Sequence, residues 1–212
     1  MVVDTSLIER TALKEWAVLV DAMSHGKIVA MVRKGGIREQ RTGFAVRHDR
    51  FLFYPTFFHA NVDELAPRFR SRLSALDGQR PPDGVIRLEY VADVIGLWAV
   101  SELELLRDID GEHGLSWSAV ESRFHYRGRP GVQVVAVRVA RLVSPAVVPE
   151  IRRYQGCVSW VELDQPIDVG GAAPVLDDVS LITRLAVLRN ALGPGITIQA
   201  PARAESSAPG EE

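Results

Sequence analysis

KIVAMVRKGGIREQRTGFAVRHDRFLFYPTFFH, residues 27–59, carries the densest chemistry in the chain and sets the reading of the fold. Ile28, Val29, Ala30, Met31 and Val32 are apolar at consecutive positions, the pattern of a strand covered on both faces. Gly35-Gly36 stops that strand, because glycine escapes the steric bar to positive φ. Arg33, Lys34, Arg38 and Arg41 surround the turn. Successive backbone N–H groups at such a turn form a concavity that holds an anion, and the basic side chains reinforce it. The same residues also fit an ordinary strand end with solvated charges.

Further along, Phe44–Arg47 and Arg50–Tyr54 flank His48-Asp49, which predicts a hairpin. Pro55 cannot donate to a ladder and is expected to end the second arm. Phe57, Phe58 and His59 follow at once. Aromatic rings beside arginines can stack on bases. Phe51 and Phe53 read as core side chains instead.

The 212 residues are enough to bury a substantial core, and 47% hydrophobic content is ordinary for a folded domain. A net charge of −2 gives no global attraction to nucleic acid, so such binding would need a local basic patch. All but three of the 25 basic residues are arginines, the exceptions being Lys14, Lys27 and Lys34. Any anion would therefore meet mostly fork-shaped, permanently charged donors. One cysteine, Cys157, rules out an intramolecular disulfide. There is no apolar run of membrane-spanning length and no apolar leader, which gives the expectation of a soluble, cytoplasmic protein.

Ser6-Leu-Ile-Glu9 fits a capping box, and Leu13, Trp16, Ala17, Val20 and Met23 then recur at helical spacing up to Gly26. A helix is predicted over Asn61–Leu76, with a restart at Pro67. Two strand-like runs fill Val85–Val100, and short helices are predicted after Ser101 and after Ser116 or Ser118. Val132–Val143 reads as the longest strand, Pro149–Tyr154 as a short helix and Cys157–Leu163 as the last strand. Asp164–Val175 has a linker's composition, and Asp178–Leu192 is an amphipathic helix with Val179, Ile182, Leu185 and Leu188 on one face. From about Ala200 the tail is small, polar and charged, the composition of a disordered segment.

The inventory of chemistry is thin. None of the three lysines follows an acid at the two-residue spacing of restriction-type nucleases. There is no HExxH, P-loop, GxGxxG or GxSxG, and one cysteine cannot build a thiolate zinc site. No metal and no cofactor is expected. Glu15, Glu39, His59 and His113 are the candidates for acid–base or metal chemistry, and Cys157 reads as a small buried side chain.

Through LKEWAVLVDAM, GKIVAMVRKGGIRE, FLFYPTFFH, WSAVESRF and YQGCVSWVEL, from about Leu13 to Leu163, the chain resembles a bacterial family catalogued as domain of unknown function 1802. Ala60 stands where that family's aromatic-His segment continues with Gln. The resemblance singles out Lys14, Glu15, Trp16, Arg33, Lys34, Gly35, Gly36, Pro55, Thr56, His59, Trp117, Arg123, Phe124, Tyr154, Gly156, Cys157 and Trp160. It also implies a link to restriction or DNA-defence systems, through members joined to Mrr-type endonuclease domains.

The sequence therefore predicts an α+β fold: a mostly antiparallel, bent sheet with flanking helices, for which a small PUA- or ASCH-like pseudo-barrel is one specific form. The domain spans residues 1–163, followed by a linker over 164–175, a helix over 176–193 and a tail over 194–212. The leading functional expectation is a nucleic-acid-binding accessory module whose anion site is Arg33, Lys34, Gly35, Gly36, Arg38, Arg47 and Arg123. The alternatives are a metal-dependent hydrolase or nuclease, and a scaffold that meets a protein partner through Asp178–Leu192.

Overall fold

The computed structural model describes residues 7–34, 48–57, 61–156 and 158–196. Its strands are β1 (Ile8–Trp16), β2 (Ala30–Arg33), β3 (Arg50–Thr56), β4 (Val85–Val100), β5 (Val132–Pro149), β6 (Trp160–Asp168) and β7 (Ala173–Pro174). They form one sheet in the order β2-β5-β4-β3-β1-β6, with β7 added to β5. Among the described residues β1 and β3 run parallel and the other ladders are antiparallel. Among the described residues four α-helices flank it: α1 (Ala17–Ser24), α2 (Pro67–Asp77), α3 (Trp117–Phe124) and α4 (Asp178–Leu192). The predicted α+β class and bent, mostly antiparallel sheet hold, and the sheet stays open.

The bend comes from β4 and β5. Their shared ladder is interrupted between Leu88 and Tyr90 and again between Val94 and Gly96. Bulges of this kind sharpen the local twist and turn the strand. At the first, the partner changes from Ala146 to Arg141, so Leu142–Pro145 have no opposite residue on β4. The curled sheet separates two apolar clusters. The larger includes Leu13, Phe51, Phe53, Val94 and Val134 and is closed by residues from all four helices. The smaller includes Ala12, Leu52, Tyr54, Leu88, Leu142 and Leu163 and lies inside the curl. Alternation along β1 and β3 feeds both clusters, because successive side chains point to opposite faces. Each such Leu or Phe adds about 1.5–3 kcal/mol relative to exposure.

Several expectations need correction. The helix read from Leu13 to Met23 is strand β1 followed by α1. Leu13, Val20 and Met23 are buried as predicted, but β1 has a ladder on each side, with β3 and with β6, and this pairing overrides the helical spacing. Of the hairpin, Phe44–Arg47 lies outside the described residues; Arg50–Tyr54 belongs to β3, which pairs with β1 and β4. Pro55 does not end that strand, which runs to Thr56 beside β1. Pairing with β4 has already stopped at Leu52, so that side holds no ladder for the proline to interrupt.

Part of the stretch 164–175 is sheet instead of linker, with a turn over 169–172 between its two strand segments. Strand β6 continues to Asp168 along β1, and Ala173-Pro174 pairs with β5. Pro166 is tolerated because it falls where the β1–β6 register shifts, between Glu162 and Ile167. Cys157 lies outside the described residues.

The helix ends follow their local signals. Pro67 opens α2, and the Ser116 hydroxyl caps α3 by accepting from the Ala119 N–H at 3.4 Å. Helix α4 has the predicted bounds and is capped by Asp177, which accepts from Ser180 N–H at 2.8 Å. Its buried side chains are Leu181, Leu185 and Leu188, while Val179 and Ile182 are exposed, so the inner face is rotated from the predicted one. Arg184 fixes that rotation: Nε donates to Glu112 at 2.6 Å, and the other nitrogens donate to the carbonyls of Gly26, Lys27 and Gly111. The helix is thus packed on its own domain.

Candidate functional site

Strand β1 brings three neighbouring residues, Lys14, Glu15 and Trp16, to the place where β3 ends. Alternation sends Glu15 to the side of the larger core and Lys14 to the side of the smaller one.

On the Glu15 side the basic residues at the end of β2 collect as the sequence suggests. The Arg33 guanidinium lies 3.3 Å from the Glu15 carboxylate, whose other oxygen accepts from Trp16 N–H at 2.9 Å. Arg123, from α3, donates to the Val32 carbonyl at 2.8 Å and sits 5.4 Å over the Trp16 ring. Burial lowers the Arg123 pKa, Glu15 works against that shift and Arg33 adds to it. The Lys34 ammonium donates to the carbonyls of Phe124 at 2.8 Å and Gly131 at 2.7 Å, and also to that of Arg129. Desolvation, then the Arg129 charge, draws its pKa below the usual lysine value. Arg33, Lys34 and Arg123 are therefore together, and each is bonded to a protein group. Gly35, Gly36, Arg38, Glu39, Arg47 and His59 lie outside the described residues.

On the Lys14 side the sheet forks. The β3–β4 ladder ends at Leu52↔Val91, whereas β1–β3 continues to Trp16↔Thr56 and β4–β5 continues to Val85↔Pro149. The two diverging strand pairs leave an open cleft of about 1260 Å³. Its described lining includes Lys14, Trp16, Tyr54, Thr56 and Phe57 on one side and Arg87, Glu89, Tyr90 and Arg141 on the other. Asp21 and Arg72, from α1 and α2, and the Arg80–Gly84 turn border it. Arg33, Lys34 and Arg123 do not line it.

Two cation–tyrosine pairs face this cleft, and each is a pair of register partners. Lys14 opposes Tyr54 across β1–β3, with its ammonium 5.3 Å from the ring centre. Arg141 opposes Tyr90 across β4–β5, with its guanidinium 5.6 Å from the ring centre. Lys14 also donates to the Gly156 carbonyl at 3.1 Å, and Arg141 donates to the Tyr90 hydroxyl at 3.0 Å, which raises the Arg141 pKa. The Tyr54 hydroxyl donates to Glu150 at 2.6 Å; burial first, then this carboxylate, pushes the phenol's pKa above its normal range. The carboxylates of the cleft have donors of their own: Arg72 for Asp21 at 2.8 Å, Arg80 for Asp83 at 3.5 Å and Arg87 for Glu89.

The two described candidates for acid–base chemistry do not meet in the cleft. Glu15 is occupied by Arg33, and His113 is only 1% exposed, with Nδ1 accepting from Leu115 N–H at 3.2 Å. Burial lowers the His113 pKa to about 4. Among the described residues no three His, Cys, Asp or Glu side chains are grouped to hold a metal ion. Nor is any described helix long and apolar enough to cross a membrane.

Sequence reasoning missed Tyr54, Tyr90, Arg141 and Glu150. Tyr54 reads as a strand residue from the sequence but Lys14 as a helical one, and nothing in the sequence says that β1 and β3 are neighbours or that β4 leaves β3 at Leu52.

Fold and site together define an α+β domain with a forked sheet and a mixed-charge cleft. Residues 12–186 match the family model described as Domain of unknown function (DUF1802), and the chain belongs to that family. No curated protein matches it. Two crystal structures of ZmASCH from Zymomonas mobilis, one a serine-to-alanine and one a tyrosine-to-phenylalanine mutant, resemble it at 13% sequence identity. Both likenesses cover 84% of this chain, and 94% and 96% of the respective ZmASCH chains, with TM-scores of 0.41 and 0.40.

Proposed function

We propose that this protein is a nucleic-acid-binding accessory module and that the fork between β3 and β4 receives the nucleic acid. The observation that carries this reading is the pair of cation–tyrosine partners, Lys14 with Tyr54 and Arg141 with Tyr90, facing one open cleft. Ammonium and guanidinium groups bind phosphate, and a partly exposed ring such as that of Tyr90 accepts a stacked base, while Tyr54, only 4% exposed, backs Lys14 from the core. The cleft volume exceeds the range of about 300–1,000 Å³ typical of small-molecule pockets, which suits a polymer entering from outside. On this reading Arg33, Lys34 and Arg123 hold the end of β2 in place, and the cleft residues meet the ligand. The accessory role in restriction or DNA defence is part of the same proposal and follows from the family resemblance.

Fluorescence anisotropy with labelled single-stranded and duplex oligonucleotides, DNA and RNA, over a salt series tests it. Binding at low salt that weakens as salt rises, and that is reduced in Lys14→Ala/Arg141→Ala, supports it. No binding at low salt, or binding unchanged in the double variant, overturns it.

A further inference from the structure

Resting on that reading, we infer that the fork recognises unpaired bases: its ligand is a single-stranded stretch whose bases enter between β3 and β4, not a duplex followed along its phosphates. Three features of the cleft lead there.

The first is the backbone. Beyond Leu52 the edge of β3 has no partner on β4, and below Val91 the edge of β4 has none on β3. Among the described residues no other strand fills the gap. Tyr54, Pro55 and Thr56 from one edge and Val85, Ile86 and Arg87 from the other line the cleft. Apart from Pro55, which has no N–H, and Val85, whose N–H donates to Pro82, such strand edges present N–H donors and C=O acceptors, the same groups that the edges of unpaired bases seek. In a duplex, those base edges are already paired.

The second is charge. Asp21, Asp83, Glu89 and Glu150 stand in the same cleft as Lys14 and Arg141. Proteins that follow a duplex neutralise a series of phosphates with a series of cations. Arg72, Arg80 and Arg87 line the cleft too, each beside one of these carboxylates, so its charges alternate in sign and form no continuous cationic track for a duplex.

The third is the rings. Trp16, Phe57 and Tyr90 line the cleft and are only partly buried, with Arg123 over the Trp16 ring and Arg141 over the Tyr90 ring, so the exposed part of each ring is what a base can stack on. Stacking is available to a base only once it is out of a duplex.

The test is competition for the full-length protein among four polyanions: a base-bearing single strand, the same strand with abasic sites, the corresponding duplex, and poly-glutamate as an extended anionic peptide. The base-bearing strand is expected to bind about tenfold or more tighter than the other three, the effect of stacking one or two bases. Tyr90→Ala, checked for folding by circular dichroism, should weaken the base-bearing strand about tenfold more than the abasic one. Equal binding of the abasic strand, the duplex or poly-glutamate overturns this inference and leaves the cleft as a general anion site. Failure of every nucleic acid to bind overturns both this inference and the proposal beneath it.

Discussion

Glu15 and Arg33 form an ion pair at 3.3 Å although their strands, β1 and β2, sit four places apart in the sheet order. The curl of the sheet closes that distance, and both side chains are largely out of water. Removing one member leaves the other charge with little solvation. We expect Glu15→Gln or Arg33→Ala to lower stability by about 1–3 kcal/mol in equilibrium urea unfolding. The double change to Met at both positions should recover much of that loss, since replacing a whole buried pair by apolar groups is often nearly neutral. Oligonucleotide affinity should change little, because neither residue lines the cleft.

Helix α4 is attached by one arginine as much as by its leucines. Arg184 joins Glu112 and three backbone carbonyls from the turns after α1 and before α3. Arg184→Ala strands the 6%-exposed Glu112 carboxylate without its guanidinium. The expected cost is about 2–4 kcal/mol, of the same order as Leu188→Ala at the buried centre of the helix face. Thermal unfolding gives the size of the effect. Limited proteolysis shows whether α4 is released first, and unchanged resistance in Arg184→Ala would argue that the leucines alone hold it.

Salt dependence separates the two basic clusters. If Lys14 and Arg141 each meet one phosphate, removing both should lower the slope of log affinity against log salt by about 1.4 for a single strand. Arg33→Ala/Lys34→Ala should leave that slope unchanged while lowering the unfolding midpoint, because Lys34 is held by carbonyls of Phe124 and Gly131. The reverse pattern would return the anion site to the end of β2.

What the sequence makes legible follows from the range of the interactions involved. Pro67 at the start of α2, Ser116 before α3 and the bounds of α4 are local signals, written within one helical turn. The basic cluster is half-legible: Arg33, Lys34 and Arg123 do assemble, but their partners Glu15, Val32 and Gly131 depend on the curl of the sheet. Strand β1 is illegible for the same reason. Its helical spacing is real, yet its ladders are formed with residues about 40 and 150 positions away. The cleft is the least local feature, since it exists only because β3 and β4 part at Leu52.

Acid stability gives a separate handle on His113. Its imidazole is buried and neutral, with Leu115 N–H donating to Nδ1. Burial lowers its pKa from 6.5 to about 4; Asp110 opposes the shift, and Arg68 and Arg123 add to it. A histidine whose pKa is lower in the folded than in the unfolded chain disfavours folding once protons are available to the unfolded chain. Its contribution is therefore complete above pH 6.5, falls as the unfolded chain takes up a proton first, and has been fully withdrawn near pH 4. The shift corresponds to about 3 kcal/mol across that window. In His113→Gln, whose carbonyl can still accept from Leu115, the stability curve from urea unfolding should be flatter by about that amount between those two pH values. Carboxylates that titrate near the lower limit do so in both proteins, so they cancel in the difference. Parallel curves for the two proteins would mean that His113 is not held neutral in the folded chain.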